Sequence, residues 1–138
     1  MLRVREQPAV GLIAGPAGDP IDEPLAQRFA ADWIGAWNAH DLDRVLAHYA
    51  DEFEMSSPLI AQLAGRPSGT LRGKPAVRAY WALALRRIPD LEFELLCVLT
   101  GVSSVTLFYV GAHCRLAGEV FQFGFDRKVR KAFAHYQA

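Results

Sequence analysis

Large apolar side chains recur every four residues from Leu25 through Phe29 and Trp33 to Trp37. That spacing lines one face of a helix, and Asp22 with Pro24 in the first turn makes a suitable start. The pattern breaks at Asn38, His40 and Asp41. Asp41 is placed to cap a second, shorter helix carrying Leu42, Val45, Leu46 and Tyr49 at helical spacing. Phe53, Met55 and Ser57 then alternate with Glu54 and Ser56, which predicts a short strand ending at Pro58. Residues 59–73 hold Gly65, Pro67, Gly69 and Gly73 and read as a long loop of the kind that rims or covers a site. A third helix opens at Lys74-Pro75. It carries Val77, Tyr80, Trp81, Ala84, Leu85 and Ile88 on one face before Pro89 stops it.

From Leu91 the period changes to two, with Leu91, Phe93 and Leu95 alternating with Glu92 and Glu94. The run Val102 to Val110 is apolar on nearly both faces, as in a central strand covered on both sides. Two further strand regions, 114–125 and 129–136, complete a series of four. Clustered helices followed by hairpin-linked strands predict an α+β domain over 21–138, built on one curved, mainly antiparallel sheet. Residues 1–20 contain Pro8, Gly11, Gly15, Pro16, Gly18 and Pro20 and read as a loosely held arm.

Composition narrows the functional classes. Lys+Arg and Asp+Glu are 15 each, giving zero formal net charge, which argues against a partner that is a nucleic acid. No apolar run approaches the roughly 20 residues of a membrane helix. Glu6 follows Arg3 and Arg5, and the apolar stretch 9–14 is short and runs into Gly15-Pro16, unlike a secretory signal. A cytoplasmic protein is expected. Cys97 and Cys114 sit in apolar stretches without CxxC spacing and are expected to be buried free thiols. The four histidines show no metal-ligand spacing, and no Gly-rich loop joins a strand to a helix, so neither metal nor nucleotide cofactor is expected. Residues 1–71 carry 5 basic and 10 acidic side chains, and 72–138 the reverse. The basic cluster Arg127, Lys128, Arg130 and Lys131 reads as a solvated hairpin tip.

Two segments carry a resemblance. Trp37-Asn38-Ala39-His40-Asp41-Leu42-Asp43 is followed by Tyr49-Ala50-Asp51-Glu52-Phe53, and Leu71-Arg72-Gly73-Lys74-Pro75-Ala76-Val77 leads into Tyr80-Trp81. With the four closing strands they resemble the SnoaL-like, ketosteroid-isomerase-like branch of the nuclear transport factor 2 superfamily. The resemblance implies a cone-like α+β fold, with three N-terminal-half helices packed on a strongly bent sheet around a deep apolar pocket. It also implies homodimers formed through the outer sheet face. Members include isomerases, polyketide cyclases, dehydratases, epoxide hydrolases and proteins without a known reaction, so the fold does not settle the chemistry. Family hairpins usually read Asp-x-x-Gly-Lys-Val; this chain has Asp126-Arg127-Lys128-Val129, and a one-residue slip there would reverse the facing of the last strands.

By the same resemblance, Trp33 stands where steroid isomerases place an oxyanion-donating tyrosine, Ser57 where they place the carboxylate base, and Phe121 where they place a protonated acid. Serine and phenylalanine cannot do those jobs, so steroid isomerisation by that mechanism is rejected. Glu119 remains. It shares strand parity with Phe121, so an inward Phe121 brings Glu119 inward among apolar groups, where desolvation raises its pKa and suits it to proton transfer. Arg115 has the same parity and is the candidate partner; Tyr109 on the adjacent strand is the candidate donor. Trp33, Trp37, Met55, Ser57, Tyr80 and Trp81, with Phe121 and Tyr136, are the candidate ligand-binding set. The leading expectation is a homodimer that takes a small hydrophobic or aromatic molecule into its cone. Cofactor-free acid–base chemistry there would be of isomerase, cyclase, dehydratase or epoxide hydrolase type. The alternative is a non-catalytic ligand-binding or dimerisation module, and a third, weaker one is a trafficking role through an exposed patch.

Overall fold

Asp22 accepts a hydrogen bond from the Leu25 backbone N–H at 2.8 Å and starts helix α1 (Glu23–Asn38). This is the first element of the computed structural model, which describes residues 21–138; the arm expected over 1–20 lies outside the described residues. Phe29, Trp33 and Trp37 are buried on one face of α1, beside Ala26, Ala30 and Ala36. The residues that break the helical pattern have work of their own. Asn38 donates to the Phe93 carbonyl at 3.0 Å and accepts from the Phe93 N–H at 2.7 Å. His40, in the left-handed region at φ 56°, sets its Nε2 2.9 Å from the Leu91 carbonyl. The end of α1 is thereby pinned to the segment that leads into the sheet.

Asp41 caps α2 (Leu42–Leu46) by accepting from the Arg44 N–H at 3.1 Å. Tyr49, expected on this helix, instead begins strand β1 (Tyr49–Ser56), because α2 ends at Leu46. The stretch 59–73 is not a plain loop. Ser57 accepts from the Leu59 N–H at 3.2 Å and, with Pro58 at the first turn, starts a short helix α3 (Pro58–Leu63). Thr70–Arg72 forms β2, antiparallel to β1 with Met55 opposite Leu71. Helix α4 (Lys74–Arg87) follows, so among the described residues four α-helices rather than three pack on the sheet.

The remaining strands are β3 (Glu94–Thr100), β4 (Ser104–Val110), β5 (Leu116–Phe123) and β6 (Val129–Tyr136). They complete an open, curved six-stranded sheet in the order β2-β1-β6-β5-β4-β3, antiparallel except for the β1–β6 pair. Its bend has an identifiable source. Register shifts interrupt β1–β6 between Tyr49 and Glu54, β3–β4 between Leu95 and Cys97, and β5–β6 between Gln122 and Phe123, and such irregularities sharpen local twist and curvature. In the turn before β6, Arg127 takes φ 59° in place of a glycine, and Gly124 N–H donates to the Lys128 carbonyl at 2.9 Å. The strands beyond it keep their facing: Glu119 lies opposite Ala134 and Phe121 opposite Ala132, all buried.

Two expectations about burial are corrected. Val105, Leu107 and Tyr109 of β4 are buried, but Phe108 on the opposite face is 37% exposed and Val102 lies 84% exposed before the strand. Among the described residues the sheet is single, and no second layer covers its outer face. Both cysteines are exposed. Cys97 follows the β3 bulge, which turns it outward, and Cys114 sits in a tight turn at φ 57°.

Candidate functional site

The concave face of the sheet does not meet the helices in solid packing. A cavity of about 90 Å³ lies between them. Trp33 and Trp37 of α1 and Trp81 of α4, the only tryptophans in the chain, all line it. Met55 and Ser57 come from the end of β1, Tyr80 and Ala84 from α4, Tyr109 from β4, Glu119 from β5 and Tyr136 from β6. The segment pinned by Asn38 and His40 supplies Leu91 and Phe93. Edge-to-face packing of Trp37 on Trp81 at 5.1 Å and stacking of Trp33 on Phe93 at 5.7 Å tie these lining residues to one another. The cavity adjoins an outer vestibule of about 340 Å³, with Leu59, Tyr80, Ala84, Ile88, Ala112 and Tyr136 forming walls of both.

Glu119 is 3% exposed. Tyr109 donates to its Oε1 at 3.0 Å, while Oε2 has no partner among the described residues. Burial pushes its pKa up to about 7, against the lowering pull of the Tyr109 hydrogen bond. The carboxyl group is therefore poised to take or give a proton near neutrality. All four tyrosines of the chain lie close enough to feel its charge. Burial, reinforced by that charge, pushes their hydroxyls above the ordinary tyrosine range, so they stay protonated donors. Ser57 sits beside the Tyr80 and Tyr136 hydroxyls and pulls the other way.

The two α1 indoles differ. Trp33 donates through Nε1 to the Tyr49 hydroxyl at 2.9 Å, so its N–H is already used. Trp37 Nε1 is buried without a partner among the described residues. Leaving a buried polar group unpaired costs roughly 1–3 kcal/mol. The chamber wall thus carries one unmet donor and one unmet acceptor, Trp37 N–H and Glu119 Oε2, among apolar and aromatic groups and the hydroxyls of Ser57, Tyr80, Tyr109 and Tyr136. A carbonyl entering the chamber can accept from the Trp37 N–H, and a hydroxyl can accept from it or donate to Glu119 Oε2.

Of the expected site residues, nine line this cavity: Trp33, Trp37, Met55, Ser57, Tyr80 and Trp81, then Tyr109, Glu119 and Tyr136. Two do not. Phe121 is fully buried behind it, edge-on to Trp33 at 5.2 Å and to Phe29 at 4.9 Å, and serves as floor packing. Arg115 does not pair with Glu119. It precedes the first residue of β5, is exposed, and donates to the Gln137 carbonyl through Nε at 3.1 Å and Nη2 at 2.5 Å. It lies instead at the rim of the vestibule. The sequence reading did not pick out Leu59, Ala84, Ile88, Leu91, Phe93 or the Gly111–Ala112 turn. Ala84 and Ile88 continue the Tyr80 face at helical spacing, and Leu91 and Phe93 share parity, so those four carried a signal. Among the described residues no group of three or more His, Cys, Asp or Glu side chains could hold a metal ion, and no helix is long and apolar enough to cross a membrane.

A curved sheet wrapped by helices around an aromatic chamber with one buried carboxyl group defines the class: an α+β cone with an internal pocket. The SnoaL-like domain model matches residues 30–130, and the chain belongs to that family. A SnoaL-like protein of unknown function from Burkholderia thailandensis is 62% identical, with a TM-score of 0.84 over 86% of this chain and 99% of that one. Two more distant structures share the fold. IdmH, a candidate polyketide cyclase from Streptomyces antibioticus, is 17% identical, with a TM-score of 0.68 over 81% of this chain and 91% of its own. SalBIII, an epoxide hydrolase/cyclase-like enzyme in pyran ring formation in the polyether salinomycin, is 16% identical, with a TM-score of 0.64 over 84% and 93%. No curated protein matches the chain.

Proposed function

We propose that this protein binds a small hydrophobic or aromatic molecule in its cone and performs cofactor-free acid–base chemistry on it through Glu119. The observation that carries this reading is the buried, unpartnered Oε2 of Glu119 inside an aromatic chamber. The volumes shape the ligand. An apolar cavity of about 150 Å³ holds benzene, and the inner chamber is smaller, at about 90 Å³. It takes the reactive end of a molecule, a carbonyl or hydroxyl with its neighbouring carbon, while the body lies in the vestibule. The vestibule's volume, about 340 Å³, falls within the range of small-molecule sites.

The step follows from the two unmet groups. Trp37 N–H donates to a carbonyl oxygen, and Glu119 Oε2 takes the proton from the carbon beside it. The electron pair of that C–H bond moves into the enolate, whose charge the indole and the tyrosine hydroxyls stabilise. Glu119 then returns the proton to carbon or to a leaving oxygen. Isomerisation, aldol ring closure and dehydration all begin this way, and the cyclase-like relatives of this fold are consistent with it.

The protein also acts as a homodimer in this reading. Leu99, Phe108 and Leu116 are exposed on or beside the uncovered face of the sheet, where Phe108 lies across Gly118, and a second copy of the chain is the partner that face suits.

The test is hydrogen–deuterium exchange at the α-carbon of acetophenone in D₂O, followed by NMR. The protein is expected to accelerate exchange, and Glu119→Gln to abolish the acceleration while keeping saturable binding. Saturable binding with exchange no faster than in buffer would replace the enzyme with a ligand-binding module.

A further inference from the structure

The vestibule differs from the inner chamber in its charge. Its rim carries Arg87, Arg115 and His113, and no acidic side chain lines it. Arg87 ends α4, is exposed, and has no hydrogen-bond or ion-pair partner among the described residues. Arg115 spends Nε and Nη2 on the Gln137 carbonyl, which fixes its guanidinium at the rim and leaves Nη1 uncommitted. Its charge reaches inward far enough to act on the Tyr136 hydroxyl. His113 is held in place by a turn whose residues take φ 58° at His113 and 57° at Cys114. Side chains from α4 and from the β4–β5 turn thus bring positive charge to one opening. The chamber behind that opening is lined by apolar and aromatic groups, with a carboxyl at its end.

We infer that the ligand is a keto acid: its carbonyl end sits between Trp37 and Glu119, its hydrocarbon body crosses the shared walls, and its carboxylate meets Arg87 and Arg115 at the rim. This rests on the proposed use of the inner chamber and adds the ligand's charge and polarity order. The geometry also orients it. A carboxylate placed first would meet Glu119 in a desolvated site and be repelled, whereas at the rim it meets the solvated guanidinium groups of Arg87 and Arg115, with Asp90, Glu92 and Glu94 set apart in the adjoining groove that Arg87 also borders. Entry is therefore carbonyl-first.

The rim arginines are exposed, so their attraction is modest and salt-sensitive. The experiment measures dissociation constants by tryptophan fluorescence for 4-acetylbenzoate, 4-acetylphenylacetate and 3-(4-acetylphenyl)propionate, whose small acetyl end fits the inner chamber while the ring and carboxylate lie outward, each beside its methyl ester. At low salt at least one acid is expected to bind about three- to tenfold more tightly than its ester, with the advantage shrinking at high salt. Arg87→Gln, at a residue with no internal partner to lose, is expected to erase much of that advantage and leave the ester unchanged. Arg115→Gln is a second variant, used at a stability checked by thermal unfolding. Equal binding of every acid and its ester, or an Arg87→Gln loss shared by both, overturns the keto-acid assignment while leaving the chamber a ligand site. Failure of acids and esters alike to bind overturns the small-molecule reading and this inference with it.

Discussion

Replacing Glu119 by Gln should flatten a pH dependence that the wild-type protein carries. The carboxyl is raised from 4.5 to about 7 in the folded state, chiefly by burial. Between those values the folded protein keeps a proton that the unfolded chain has lost. Unfolding then releases a proton, and raising the pH favours it. The stabilising contribution is complete below about pH 4.5 and is lost as the pH rises through about 7. A shift of that size corresponds to roughly 3 kcal/mol at about 1.4 kcal/mol per unit, most of it falling between about pH 5 and pH 8. Glutamine keeps the shape and can still accept from Tyr109, but it never ionises. Urea unfolding followed by tryptophan emission, at one protein concentration and several pH values, gives the difference between variant and wild type. That difference should move by about 2–3 kcal/mol in favour of the variant from about pH 5 to about pH 8, with other titrating groups cancelling. A difference constant to within about 0.5 kcal/mol, or one that moves the other way, would refute the claim that Glu119 is desolvated in the fold.

Other outcomes follow from the same geometry. Tyr109→Phe removes the hydrogen bond that holds the Glu119 pKa down, so the carboxyl midpoint seen by ¹³C NMR should rise above about 7. Trp33→Phe and Trp37→Phe remove equal volume, but only Trp33 makes an internal hydrogen bond. Trp33→Phe should therefore cost about 1–2 kcal/mol more in denaturant unfolding, whereas Trp37→Phe should weaken carbonyl ligands more. The proposed homodimer predicts that the wild-type protein sediments as a dimer and that Phe108→Asp, on the outer sheet face away from the chamber, sediments as a monomer with unchanged ligand affinity per chain.

Periodicity carried the large elements and much of the chamber. Four-residue spacing in α1 and the Val77–Ile88 face of α4 placed all three tryptophans inside, and parity in β5, with the inward Phe121 that the family resemblance implies, turned Glu119 inward. The remainder depended on partners distant in sequence. That Trp33 is satisfied and Trp37 is not follows from Tyr49, sixteen positions from Trp33 and in a different element. Arg115 shows the limit of parity: its position matches that of Glu119, but the strand begins one residue later, and the Gln137 carbonyl takes its guanidinium. Helix α3 was hidden because six residues beside a glycine-rich stretch show no period, and Cys97 was misplaced because one extra residue in β3 changes which face follows it.

The most direct test of a hollow cone with a waiting carboxyl is a crystal grown with 4-bromophenol and measured at the bromine absorption edge. The expected anomalous peak lies within the chamber or its vestibule, with the phenol oxygen in hydrogen-bond reach of Glu119 Oε2 or Trp37 Nε1. A chamber closed by repacked side chains, with bromine confined to the outer surface, would contradict the account.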